Sequence, residues 1–245
     1  MAESGFRRGR GVLVTGTDTE VGKTVVAGAI ARCLVQAGHS VGVFKPVASG
    51  CQRRREGLVS EDAEFLSHCS GSAEPLEVIN PVRYHEPLAP WVAVQRSGVE
   101  LDRAEMCRAY NYLAGQSEVM VVEGVGGVMV PLGRDYAVLD LMVELALPVV
   151  VVAASRLGAI NHTLLTVEAS RARGLEVLGV VINGYQAEGA SLAQETNPRV
   201  IAEVGGVRVL SVIPFDQETC VSKGRLGREV MAAASLVDWW ELFGS

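Results

Sequence analysis

The chain reads as an α/β protein: a doubly wound, mostly parallel sheet flanked by helices within one domain. Three observations predict this. Short runs rich in valine, isoleucine and leucine alternate with stretches of helical pattern from end to end. Those runs are almost continuously apolar, as strands covered on both faces are. Glycines recur just after the helical stretches, where a left-handed residue closes a helix. A length of 245 residues suffices for one large core. No composition break, repeat or low-complexity tract divides residues 11–245, and residues 1–10 read as a flexible terminus.

In chain order, Val12, Leu13 and Val14 place a strand at 11–15, and a helix at 22–37 follows, closed by Gly38. Consecutive strands often neighbour one another, so the next strand, at 41–45 and ending on Lys45, is expected beside the first. The acids of Ser60-Glu61-Asp62 suit the N-terminus of a helix at 61–69. Residues 78–98 break the rhythm, because Pro81, Pro87 and Pro90 favour an irregular connection over the strand ends. A helix at 101–116 leads to a strand at 119–123, and a helix at 138–147 to a strand at 148–153. The pattern then repeats as helix 160–173, closed by Gly174, and strand 177–183. Helix 192–204, closed by Gly205, leads to strand 207–214, and one last helix spans 227–243.

Composition excludes several roles. A net charge of -6 and a pI near 5.3 argue against nucleic acid or an anionic membrane as partner. The only basic runs, Arg7-Arg8-Gly9-Arg10 and Arg53-Arg54-Arg55, read as a solvated terminus and a solvated loop. No apolar run approaches the roughly 20 residues that cross a bilayer, so the expected location is the cytosol. Cys33, Cys51, Cys69, Cys107 and Cys220 form no CxxC pair, and disulfides are not expected. Cys51 follows Ser49-Gly50 and reads as a bystander thiol.

The chemistry begins at Gly16-Thr17-Asp18-Thr19-Glu20-Val21-Gly22-Lys23-Thr24. A strand, a glycine-bearing turn and a helix aim backbone N–H groups at a phosphate, and the helix N-terminus adds partial positive charge. Lys23 reaches the terminal phosphates and the Thr24 hydroxyl ligates Mg²⁺ in such loops. The usual first glycine would fall at Thr17; here Gly16 comes one residue earlier. Glu123 ends an apolar run and precedes Gly124-Val125-Gly126-Gly127. A carboxylate at the carboxyl end of a buried strand lies where such sheets place ligands, although an exposed acid before a turn is the plainer alternative. Asp62 either complements a helix dipole or serves a metal. Lys45, ending a strand before Pro46, forms a structural ion pair or stabilises a phosphoryl group in transfer.

VTGTDTEVGKT and KPVASG together resemble the dethiobiotin synthetases, with Ser60-Glu61-Asp62-Ala63, VEGVGG, Arg156 to His162 and Ile213-Pro214 in support. The likeness covers most of the chain. It implies a P-loop α/β fold and a cytoplasmic homodimer with ATP as co-substrate. It also implies ring closure of 7,8-diaminononanoate with CO₂ through a carbamate and a carbamic–phosphoric anhydride. By position it gives Lys45 and Lys23 catalytic roles, and gives Mg²⁺ to Thr24, Asp62 and Glu123. ATP would meet Glu20, Val21, Gly22, Lys23, Thr24, Val25, Asp62, Glu123, Gly124, Val125 and Gly126. Asn183, Gly184, Pro214, Phe215 and Asp216 would surround its base. Thr19 and Ser49 would touch the diamine or its carbamate. Gly158, Ala159, Ile160 and Asn161 open a helix and would take the substrate carboxylate across the dimer interface. Val125 stands where the family has alanine, Arg156 where lysine is usual, and Gly184 where some members have aspartate.

A partition or septum-placement ATPase shares this fold but carries a lysine five residues before the invariant one, and that position is Asp18. A corrin-type amidotransferase would need a glutaminase domain for which there is no room.

Overall fold

A computed structural model describes residues 5–243. The first half runs β1 (Gly11–Gly16), α1 (Lys23–Gln36), β2 (Val41–Phe44), β3 (Val47–Ala48), β4 (Gln52–Arg54), β5 (Gly57–Val59), α2 (Glu61–Ser70), α3 (Leu76–Ile79), β6 (Val82–Arg83), α4 (Pro90–Ser97) and α5 (Arg103–Gln116). The second half runs β7 (Val119–Gly127), β8 (Pro131–Gly133), β9 (Tyr136–Ala137), α6 (Val138–Leu145), β10 (Val149–Ala154), α7 (Ala159–Ala172), β11 (Val177–Tyr185), α8 (Leu192–Gly205), β12 (Val209–Pro214), α9 (Arg228–Ala234) and α10 (Trp239–Leu242).

Six strands form one parallel sheet in the order β12-β11-β10-β1-β7-β2. The apolar runs are strands because each side of the sheet is covered. Leu13 of β1 belongs to a core with Met106, Tyr110, Leu139 and Val167 from α5, α6 and α7. Its neighbours Val12 and Val14 point the other way, into a core with Val26, Ile30, Leu34, Val230 and Trp239 from α1, α9 and α10. Successive strand residues face opposite sides, so a strand that feeds two cores must be apolar throughout. Among the described residues, no helix is long and apolar enough to cross a membrane, and all five cysteines are free.

Four expectations change. The strand that precedes Lys45 is not next to β1: β7 lies between them, pairing with β1 through Leu13↔Val122 and with β2 through Phe44↔Val122. After β2 the chain passes through α2–α5 before it re-enters the sheet as β7, which takes the place between β1 and β2. Residues 78–98 are only partly irregular: β6 pairs in parallel with β3, Pro90 begins α4 at a position whose N–H would be unpaired in any case, and residues 84–89 between them form neither helix nor strand. The left-handed residue after α8 is Gly206, at φ 50°, while Gly205 stays helical. The terminal helix is two helices. The Trp239 indole Nε1 donates to Ala234 O at 2.9 Å, ending α9, and the Asp238 carboxylate accepts from Glu241 N at 3.0 Å, starting α10.

Of the flexible terminus expected over 1–10, residues 1–4 lie outside the described residues. The rest is held: Arg7 N donates to Asn111 Oδ1 at 2.6 Å, and Phe6 meets Tyr110 edge-on. Arg10 lies 3.8 Å over the Trp240 ring, whose centroid stacks 3.6 Å from that of His39.

Candidate active site

The loop between β1 and α1 is built by backbone constraints. A Cβ on Gly16 would come within 2.8 Å of Val21 Cγ2 and 2.9 Å of Lys23 Cδ, so only glycine lets the chain fold back on itself there. This explains why the early glycine sits at 16 and not at 17. Gly22 has φ 92°, and a Cβ there would lie 2.0 Å from Asn183 Nδ2. Asn183 in turn donates to Val21 O at 3.1 Å, fastening the loop to the end of β11. Glu20 also adopts the left-handed region, at φ 57°.

Lys23 is buried and donates to Asp18 O at 2.8 Å. Burial and the nearby Lys45 charge lower its ammonium to about 8, against the pull of Glu123 and Asp62. Thr24 Oγ1 bridges the two acids, 2.8 Å from Glu123 Oε1 and 3.1 Å from Asp62 Oδ1. Lys45 meets the same pair, 2.6 Å from Glu123 Oε1 and 2.8 Å from Asp62 Oδ2, and also donates to Gly124 O at 3.2 Å. Burial opposes charge on Lys45, but Glu123 and Asp62 outweigh it and raise the ammonium above its ordinary range. Asp62 is held below the usual carboxylate range, chiefly by Lys45. Glu123 Oε2 is buried and has no partner.

Asp62 is delivered by the packing of α2 on α1. Gly28 makes that possible, since a Cβ there would meet Phe65 Cε1 at 2.4 Å and Cys69 Sγ at 2.9 Å. Ser60 caps α2 by accepting from Ala63 N at 3.4 Å. The β4–β5 hairpin leans on the same helix through Gln52 to Glu61 and a two-pronged Arg54–Glu64 pair at 2.5 and 2.9 Å.

These contacts bring together Lys23, Thr24, Lys45, Asp62, Glu123 and Gly124, with Asn183, Val21 and Gly22 attached. The same contacts do not reach Ser49, Gly158, Asn161 or Phe215. Thr19 lies beside Gly126, its Cγ2 3.7 Å from where a Cβ would be. Arg156 joins the 155–161 turn to the loop through a 3.8 Å ion pair with Asp18. Gly158, at φ 89°, caps the start of α7, placing Ala159, Ile160 and Asn161 in its first turn. Pro214 ends β12, Phe215 is 59% exposed, and Gly184 is left-handed at φ 79°. Asp216 is engaged locally, its carboxylate accepting from Glu218 N and Glu229 N at 2.8 and 3.0 Å. Cys51 is buried and donates to Ala48 O, and burial pushes its thiol up to about 11.

Comparison with known proteins decides the family. A family model described as an AAA domain matches residues 10–220. The ATP-dependent dethiobiotin synthetase of Thermodesulfovibrio yellowstonii is 36% identical, covering 89% of this chain and 92% of its own. Those of Bacillus subtilis and Bacillus cereus are 40% and 43% identical, covering 84% of this chain and 87% and 83% of theirs. The chain belongs to the dethiobiotin synthetase family. Its architecture extends further: the septum-site protein MinD of Pyrococcus horikoshii, solved with Mg-ADP, superposes with TM-score 0.60 at 16% identity over 93% of each chain. McdA of Cyanothece, as an ATP complex, gives 0.55 at 13% identity over 93% and 94%. At such identities the likeness is one of fold.

For this dethiobiotin synthetase family member, residue-by-residue reading of the sequence overlooked Asn80. It is fully buried, and its Nδ2 donates to Lys45 O at 2.6 Å and Val82 O at 3.2 Å. Its only signal in sequence was the Asn-Pro step at 80–81, which reads as a turn. Gln194 and Asn197 were missed as well; they donate to Ser155 O and Arg156 O and brace the 155–158 turn from α8.

Proposed function

We propose that the chain is an ATP-dependent dethiobiotin synthetase. It would close 7,8-diaminononanoate with CO₂ into a cyclic urea while splitting ATP to ADP and phosphate. One observation carries the reading: Lys45 is ion-paired with Asp62 and Glu123, Thr24 contacts the same two acids, and Lys23 lies within reach of their charge, in a member of that family. The backbone of Glu20, Val21, Gly22, Lys23, Thr24 and Val25 receives the phosphates, with Gly124, Val125 and Gly126 facing them. Asn183, Gly184, Pro214, Phe215 and Asp216 border the base.

The cluster fits Mg²⁺. All its donors are oxygens, one carboxylate oxygen is buried without a partner, and this ion takes one or two carboxylates plus phosphate oxygens and waters. Thr24, Asp62 and Glu123 would hold it, and when bound it supplies charge neutralisation to the phosphates.

One amine of the substrate attacks CO₂ and loses a proton, giving a carbamate. The carbamate oxygen displaces ADP from the γ-phosphorus. The second amine then attacks the carbamoyl carbon, phosphate leaves, the nitrogen gives up its proton to phosphate or solvent, and the ring closes. No protein nucleophile is needed, so the work is alignment and neutralisation of charge. Lys23 and Lys45 supply the positive charge, and Thr19 and Ser49 orient the diamine and its carbamate. A cavity of about 490 Å³ beside Thr17 and Asp18, lined by Met129, Val130, Pro131 and Leu165, suits the alkyl chain. The first turn of α7, from Gly158 to Asn161, suits the carboxylate of a substrate held in the site of the other protomer of a homodimer. Met129, Leu157 and Leu165 are exposed on this side, and a second copy would cover them.

The test is the substrate dependence of ATP hydrolysis, with the ring product followed by mass spectrometry. Hydrolysis that requires both the diamine and bicarbonate is expected. Hydrolysis with neither, stimulated by DNA or lipid vesicles, would overturn the reading in favour of a switch ATPase.

A further inference from the structure

Lys45 stands where the main sheet has run out. β2 is the edge strand, and its last rung to β7 is Phe44↔Val122, one residue short of Lys45. From there a different partner holds the main chain. Lys45 N donates to Ile79 O at 2.8 Å, Val82 N to Pro46 O at 3.3 Å, Tyr84 N to Ala48 O at 2.8 Å, and Gly50 N to Glu86 O at 3.2 Å. Residues 79–86 thus template the whole KPVASG segment, which carries both Lys45 and Ser49.

Asn80 is the one side chain in this template that grips Lys45 itself. Both its amide hydrogens are spent on carbonyls, Lys45 O at 2.6 Å and Val82 O at 3.2 Å, while its Oδ1 is buried without a partner. Turning the amide over would set Oδ1 against two carbonyl oxygens, so the nitrogen faces Lys45. A fully buried amide that leaves one end unpaired is disfavoured unless its other end secures something. What it secures is the peptide from which the Lys45 side chain reaches Glu123, Asp62 and Gly124.

We propose that Asn80 is a positioning residue for Lys45. It fixes the Lys45 carbonyl beyond the end of the sheet, so that the ammonium keeps one place relative to Glu123, Asp62 and Lys23. The effect on turnover rests on the function proposed above; the geometric effect on Lys45 does not.

Two readouts separate the two. The first is a double-mutant cycle on diamine-dependent turnover with Asn80→Ala and Lys45→Ala. A displacement of about 1 Å in a reacting group costs on the order of 100-fold. Asn80→Ala is therefore expected to lower kcat by roughly 10- to 100-fold, with the KM for ATP little changed. In the Lys45→Ala background it should cost almost nothing further. Equal fold-losses in both backgrounds would overturn the proposal. The second readout is the rate of Lys45 acetylation by acetic anhydride in the nucleotide-free protein, followed by peptide mass spectrometry. It should rise several-fold in Asn80→Ala, and an unchanged rate would also overturn the proposal. Asn80→Ser, which keeps a single hydroxyl donor, should fall between wild type and alanine on both scales, and serves if the alanine variant fails to fold. Absence of diamine turnover in the wild type would remove the proposed function, while the acetylation comparison would still decide the role of Asn80.

Discussion

Lys23 and Lys45 are both buried ammoniums in one site, and the chain holds them by opposite means. Lys23 lies in the first turn of α1, behind a loop shaped by Gly16 and Gly22, and its one hydrogen-bond partner is the neutral Asp18 carbonyl. Lys45 lies past the end of an edge strand, held by Ile79 and Asn80, and is bonded to two carboxylates. Burial and the neighbouring ammonium lower the first to about 8, while Glu123 and Asp62 raise the second despite its burial. The difference teaches a division of labour. Lys23 has no anionic partner among the described residues, and a bound phosphate would answer that need. Lys45 already has its anions, so its place depends on the packing that delivers them.

The largest effect should come from removing the better-paired lysine. Lys45→Ala is expected to lower turnover by about 10³-fold, the scale of a lost transition-state charge contact. ATP affinity should change by less than about threefold, since the phosphates answer to Lys23 and the loop. The substitution also strands the buried Glu123 carboxylate, which costs about 3–5 kcal/mol of stability if it stays ionised. Steady-state kinetics, nucleotide calorimetry and urea unfolding measure the three quantities. Near-normal turnover would erase the contrast between the lysines.

Gly28→Ala probes the packing side alone. The added methyl meets Phe65 and Cys69 of α2, the helix that carries Asp62. A loss of about 1–3 kcal/mol in urea unfolding is expected for overpacking of this kind. A neutral result would show that α2 moves freely, and with it one of the two partners of Lys45.

The smallest effect is electrostatic and concerns Lys23. Its folded pKa, about 8, lies below the unfolded value of 10.5. The folded chain therefore binds fewer protons than the unfolded chain between these values. Burial of Lys23 costs stability below about pH 8, and that cost is relieved as pH rises toward 10.5. Phosphate restores the charged form, so ATP binding should take up a proton near pH 9 and almost none near pH 7. Binding enthalpies in buffers of different ionisation enthalpy would show it. Equal enthalpies across buffers at pH 9 would mean that Lys23 is not lowered.

Most of the fold was legible because strands buried on both faces must be apolar throughout, and all six sheet strands announce themselves that way. Their order was not. The insertion of β7 between β1 and β2 depends on pairings across more than a hundred residues, such as Gly11↔Met120, which no local pattern records. The phosphate loop was legible because its function is a backbone shape, and shape requires glycine at 16 and 22. Lys45 stood out as a charge at the end of an apolar run. Asn80 did not, because a side chain that bonds main-chain carbonyls leaves no complementary residue to look for. The break between α9 and α10 was hidden for a similar reason: Trp239 acts there through its indole N–H while reading as one more apolar residue.

The position of β1 in the sheet also bears on how the molecule comes into being. β1 precedes the other sheet strands of the described residues, yet its rungs are made to Met120–Gly127 on one side and Val149–Val152 on the other. Until Val152 has left the ribosome the loop after β1 lacks one of its two flanking strands, and Asn183, which fastens it to β11, comes later still. Long-range pairings of this kind close slowly, and the apolar β1 stays exposed while it waits. Nucleotide cannot guide that early phase, because a ligand stabilises only a site that exists. A nucleotide bound at this loop would stabilise the fold only once β10 and β11 are in place.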